Sequence, residues 1–139
     1  MRFLPLAASL ALAAVATPLV TAPVVAAPPR PATITVTIVM ADRHFHPQVI
    51  RLNRGQPYRI LLVNRDGTGH NFDSKGFFGH AEIAPDGGGD QAIHEGLITV
   101  PSHSTVWFRV TPMVARPFDL KSSVALDAAS GMQGQILVY

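Results

Sequence analysis

The chain has 139 residues, 47% of them hydrophobic, with 11 lysines and arginines, 9 acidic residues and no cysteine. That length supports one domain with a sizeable core and is too short for two. The lack of cysteine excludes disulfides, thiolate nucleophiles and thiolate metal ligands, so the core must rest on packing alone.

Much of the apolar excess is gathered at the amino end. Arg2 precedes an apolar run from Phe3 to Val15 broken only by Pro5 and Ser9, the pattern of an export signal. A permanent membrane span needs about 20 apolar residues, and Thr17 and Pro18 arrive too soon for one. Ala14-Val15-Ala16 and Val24-Val25-Ala26 both have the small-x-small form that signal peptidase accepts. Residues 1–26 are therefore read as a signal peptide, 27–32 as a Pro/Ala-rich linker and 33–139 as the folded domain. Cleavage after Ala26 removes Arg2 alone among the charges, leaving ten basic residues against nine acidic ones. The mature domain is expected to be periplasmic or secreted, with no stable membrane span. Five arginines fall between Arg43 and Arg65, but without the interleaved aromatics of a nucleic-acid surface. Solvated strand faces account for them, and nucleic acid is not an expected partner.

Thr33 to Met40 alternates strictly, with Ile34, Val36, Ile38 and Met40 on one side, the period of a half-buried strand. Val49 to Leu52 reads as a second strand, closed by Asn53-Arg54-Gly55, and Tyr58 to Val63 as a third. A long irregular stretch follows from Asn64 to Gly96, rich in glycine and carrying the Asp86-Gly87-Gly88-Gly89-Asp90 run. Phe77 and Phe78 must pack somewhere, so a short helix or ordered loop is expected within it. Leu97 to Val100, Thr105 to Val110, Phe118 to Lys121 and Gln135 to Tyr139 bring the total to about seven short strands separated by Pro, Gly and Ser turns. No segment keeps a helical period over three turns, and an all-β sandwich is the economical fold.

Hydrolytic chemistry finds little support. His103-Ser104, Ser122-Ser123 and Asp119 do not form anything resembling a strained nucleophile turn. Gly87-Gly88-Gly89 lacks the Lys-Ser/Thr pair of a phosphate loop. The chain is not expected to be an enzyme.

Three blocks occur in order: Phe45-His46-Pro47 followed by Ile50 and Gly55; Asn64 followed by Gly69-His70-Asn71-Phe72; and Gly131-Met132-Gln133-Gly134-Gln135-Ile136-Leu137-Val138. Together they resemble the cupredoxin family of plastocyanin and azurin type, from Thr33 to the carboxyl end. The resemblance implies a Greek-key β-sandwich of about seven strands with a long irregular insertion. It also implies a copper site at one end of the sandwich, with His70 as the first histidine ligand and Met132 as the axial methionine. A blue-copper site takes two histidines and a cysteine in a trigonal set with a weak axial methionine. In the family the cysteine follows an aromatic residue at the end of the penultimate strand, and the second histidine lies a few residues later, before the Gly-Met pair. Here Leu120 is read at the cysteine position, and no histidine follows it. Blue-copper electron transfer is thereby excluded.

Copper binding then requires other ligands, and the chain has six histidines: His44, His46, His70, His80, His94 and His103. His44 and His46 form an H-x-H pair whose side chains share one face of an extended backbone, a geometry that grips a Cu(II) or Zn(II) ion with two imidazoles. Met40 and Met113 are further thioether candidates for Cu(I). His80, His94 and His103 sit in polar loop contexts and read as surface residues. Two functions follow as expectations. One is an exported copper-binding or copper-handling protein using His70, Met132, His44 and His46, with a metal ion as its partner. The other is a metal-free module of the cell envelope serving a partner-binding or structural role, with Phe77, Phe78 and the Gly-rich loop as its contact surface.

Overall fold

Alternation of apolar and polar side chains makes Ile34–Ala41 the first strand, β1, of a computed structural model that describes residues 28–84, 93 and 95–139. The expected signal peptide, the glycine-rich run at 86–90 and His94 lie outside the described residues. In chain order there follow β2 (His44–His46), β3 (Val49–Leu52), β4 (Tyr58–Asn64), β5 (His70–Asp73), α1 (Lys75–Phe78), β6 (Ala81–Ile83), β7 (Leu97–Val100), β8 (Thr105–Pro112), β9 (Pro117–Lys121), α2 (Ala125–Ser130) and β10 (Gln133–Val138). No helix among the described residues is long and apolar enough to cross a membrane.

The strands form two five-stranded sheets, ordered β2-β1-β4-β8-β6 and β3-β10-β9-β5-β7. Most neighbours are antiparallel, but β1 runs parallel to β4 and β3 parallel to β10. Inward residues alternate along each strand, so Ile38, Met40, Ile60, Leu62, Val106 and Phe108 of one sheet face a core shared with Ile50, Phe72, Ile98, Phe118, Leu120 and Ile136 of the other. Each such side chain contributes about 1.5–3 kcal/mol on burial.

The seven strands expected from the sequence correspond to β1, β3, β4, β7, β8, β9 and β10. The structure adds β2, β5 and β6. Two of these are only three residues long, too short to display a period. In β5 the buried positions include His70 and Asp73, so polar side chains interrupt the apolar pattern that marks a strand.

Phe77 and Phe78 do not form an exposed contact surface. They are 1% and 9% exposed, and their rings pack against each other at 5.5 Å and against Phe118 and Phe108 at 5.7 and 5.5 Å. Of the residues of α1 it is these two that are buried, so α1 turns both rings inward. Met40 is likewise fully buried in the core, whereas Met113 is exposed beyond β8.

Candidate functional site

The turns β1–β2, β4–β5 and β7–β8 and the segment from β9 through α2 to β10 gather around His70. Asn64, at the end of β4, ties several of them. Its side-chain amide donates to the carbonyls of Thr68, Val100 and Pro101 at 2.8, 3.1 and 3.0 Å, and its carbonyl accepts from the Asp66 amide at 2.9 Å. This fixes the turn that presents Asp66 and His70.

His70 is completely buried and lies between two carboxylates. Its Nδ1 is 2.7 Å from Asp127 Oδ2 and its Nε2 is 2.8 Å from Asp66 Oδ2. A neutral imidazole has only one N–H, so both ring nitrogens can donate only when the ring carries both protons. Asp127 Oδ2 also accepts from Ser122 Oγ at 2.6 Å, and Ser122 Oγ accepts from the Asn71 amide at 3.1 Å. The second oxygen of Asp127, Oδ1, is buried and has no hydrogen-bond partner among the described residues. Met132 is bound into the same cluster through its backbone. Its amide donates to the Asp127 carbonyl at 2.9 Å, and its carbonyl accepts from the Ser122 amide at 3.0 Å. The left-handed Gly131 (φ 73°) makes the bend between α2 and β10 that brings Met132 inward.

Asp66 reaches outward as well as inward. Its Oδ1 accepts from the Asp42 amide at 2.9 Å and its Oδ2 from the Arg43 amide at 3.0 Å. Asp42 and Arg43 both have positive φ (52° and 57°), and the carboxylate clamps this turn. Burial opposes the charge on Asp66, but the N–H groups of Arg43 and Asp42 and the ring of His70 outweigh it and hold the carboxyl below the usual carboxylate range.

The clamped turn carries β2. Phe45 points into the core, 1% exposed, so His44 and His46 on either side of it face solvent. Their ring centres are 6.4 Å apart. His44 Nδ1 lies 2.7 Å from the Asp42 carbonyl, to which it must donate, leaving Nε2 as the free lone pair of the neutral ring.

The four expected ligands thus separate into an outer pair and an inner pair. His44 and His46 stand together on the surface, while His70 and Met132 lie inside, where Asp127 and Asp66 occupy both nitrogens of His70. Among the described residues, no group of three or more His, Asp or Glu side chains is disposed to hold a metal ion. His80 is exposed and donates from Nδ1 to the Gly76 carbonyl at 2.8 Å, and His103 is exposed in a turn.

The inner residues do not fit a blue-copper centre. No thiolate exists, both nitrogens of the imidazole are hydrogen-bonded, and apart from the thioether of Met132 the remaining donors are carboxylate and hydroxyl oxygens, whereas the ligands that suit Cu(I) are soft. Leu120 does not stand at the site. It is 1% exposed and belongs to the sandwich core, because inward positions on β9 alternate from Phe118 to Leu120, and the next, Ser122, lies past the strand end beside His70. Sequence reasoning missed Asp66, Ser122 and Asp127 as members of one cluster. The available signals were the place of Asp127 shortly before Gly131-Met132 and of Ser122 just after the strand led by Phe118.

Residues 5–95 match the model of the cupredoxin-like domain family, more than half of the chain. No curated protein matches the sequence. Among solved structures, auracyanin B aligns at 14% identity over 81% of this chain and 93% of its own, with a TM-score of 0.57. Auracyanin A, a "blue" copper protein from the green thermophilic photosynthetic bacterium Chloroflexus aurantiacus, aligns at 16% identity over 78% of this chain and 100% of its own, with a TM-score of 0.56. These likenesses show a shared β-sandwich fold.

Proposed function

The chain belongs to the cupredoxin-like family, and from that premise we propose that it is an exported protein that binds copper at its surface without carrying electrons. The observation that carries this reading is the His44–His46 pair. With ring nitrogens about 2.0–2.1 Å from an ion, two imidazoles on one metal have ring centres roughly 4.5–6.5 Å apart, from right-angled to linear arrangements. The 6.4 Å separation lies at the upper end of that span, and both rings are exposed. The hydrogen bond from His44 Nδ1 to a backbone carbonyl is the outer support that metal-binding histidines characteristically have. Cu(II) and Zn(II) both suit imidazole, and the copper chemistry of the fold's relatives favours copper.

Competition titration of the full-length protein with Cu(II) tests this. His44→Ala and His46→Ala are each expected to weaken binding at least tenfold, and Met132→Leu to leave it unchanged. The Cu(II) spectrum should carry the hyperfine pattern of two imidazole nitrogens. Equal affinity in the wild type and in the double alanine variant would overturn the proposal.

One observation favours a second reading. His70 is sealed between Asp66 and Asp127, which closes the inner site and suits a metal-free module with a partner-binding or structural role. Loss of copper affinity in the His44 and His46 variants would set that reading aside, and indifference to both substitutions would support it.

A further inference from the structure

We infer that the cluster of His70, Ser122, Asp127 and Met132 is a metal centre rewritten as hydrogen bonds, in which Ser122 stands at the thiolate position and Asp127 at that of the second imidazole. The inference concerns a different site from the surface pair and does not rest on it.

Four structural relations support it. First, β9 alternates inward residues Phe118 and Leu120, and Ser122, the next inward residue, is the first to leave the hydrophobic core and meet His70's surroundings. Second, Asp127 lies in α2, between that strand and the Gly131 bend, and its side chain points inward to His70 although its neighbours Leu126 and Ala128 face solvent. Third, Met132 is joined by its backbone to both Ser122 and Asp127, which fixes the three relative to one another. Fourth, the amide of Asn71, the residue after His70, donates to Ser122 Oγ, and a sulfur at that position would accept the same bond.

The chemistry explains how the conversion holds together. His70 Nδ1 and Ser122 Oγ converge on one atom, Asp127 Oδ2, at 2.7 and 2.6 Å. A metal bound by imidazole and thiolate is met by its donors at about 2.0–2.3 Å, so donors that converge on an oxygen already aim near the place an ion needs. Exchanging sulfur for oxygen at Ser122 and carboxylate for imidazole at Asp127 replaces attraction to a cation by attraction between an acid and a base. Asp66 keeps its place in either state, because a ligating histidine donates its other ring N–H to a carboxylate or carbonyl. A buried histidine, serine and aspartate are thereby joined through one shared oxygen.

Two reversions test the assignment, in a full-length background carrying His44→Ala and His46→Ala so that the surface pair cannot contribute. After loading with Cu(II) and removal of loose metal, Ser122→Cys/Asp127→His is expected to retain one copper per chain and to show an intense visible thiolate-to-copper band. The band should vanish when His70→Ala is added. Leu120→Cys/Asp127→His is expected to show neither copper nor band, since that side chain faces the core. A folded Ser122→Cys/Asp127→His protein without bound copper, or an equal band from the Leu120 variant, would overturn the inference. Should circular dichroism show the double variant unfolded, Ser122→Cys alone decides. This exchange of one atom leaves Asp127 as an oxygen donor, and a copper–thiolate band supports the assignment while its absence overturns it.

Discussion

His70 Nδ1 and Asp127 Oδ2 meet at 2.7 Å across 57 residues of sequence, and neither side chain is more than 1% exposed. A buried polar pair of this kind costs most when one partner is removed, because the other is left without compensation. His70→Ala and Asp127→Ala are each expected to destabilise the fold by about 3–5 kcal/mol. The double variant should lose less than the sum of the two, which a denaturant-based double-mutant cycle would read directly. Strict additivity would mean that the two groups do not depend on one another.

The Asp66 carboxyl gives the fold a definite response to acid. Its folded-state value is depressed, so between the folded and unfolded values the unfolded chain binds more protons. The stability it contributes is therefore fully present above the ordinary carboxylate range and is lost as pH falls through the lower folded value. Melting temperature recorded from pH 7 downward should decline below about pH 4. Asp66→Asn should begin lower at neutral pH, by about 1.5–3 kcal/mol for weakened bonds to a charged acceptor. It should also fall less steeply in acid. Parallel curves for the two proteins would show that the Asp66 charge is not what acid removes.

Much of the frame is legible in the sequence for a clear reason. Thr105–Pro112 buries every second residue and Ile34–Ala41 buries Ile38 and Met40, and that period is written in their apolar residues. His70 and Met132 could be placed from the blocks around them because glycines and neighbouring apolar residues mark the turns that carry them. The partners of His70 could not. Asp66 and Asp127 look like ordinary surface acids in the chain, and only folding brings one from the loop between β4 and β5 and the other from α2 onto the same ring. Nor does the sequence show that Leu120 lies in the sandwich core while Ser122 lies beside the buried histidine. An inward position in a strand and the first position beyond its end have the same parity, and only the depth of the core distinguishes them.

Phe77 separates a packing role from a recognition role. Its ring is 1% exposed and sits 5.5 Å from Phe78 and 5.7 Å from Phe118. Phe77→Ala should cost about 3–5 kcal/mol of stability through the lost contacts and the cavity left behind. Under conditions where the variant remains folded, Cu(II) affinity at the His44–His46 pair should match the wild type. A stability change below about 1 kcal/mol would contradict the packing described, since surface substitutions usually fall near that range or under it.

Asn64 offers the sharpest test of how the turn bearing Asp66 and His70 is held. Its side-chain NH2 faces three carbonyl oxygens, those of Thr68, Val100 and Pro101. Asn64→Ala leaves these acceptors without their donor and should destabilise by about 1–3 kcal/mol. Asn64→Asp keeps the size and shape but replaces the donor with a second acceptor, so oxygen would face oxygen at each contact. The isosteric substitution is therefore expected to be at least as damaging as truncation, and more so at neutral pH than in acid, where a protonated carboxyl regains one donor. Thermal melts of both variants at two pH values would decide. A neutral outcome for Asn64→Asp would show that the three carbonyls are satisfied by other means and that the turn is held by Asp66 alone.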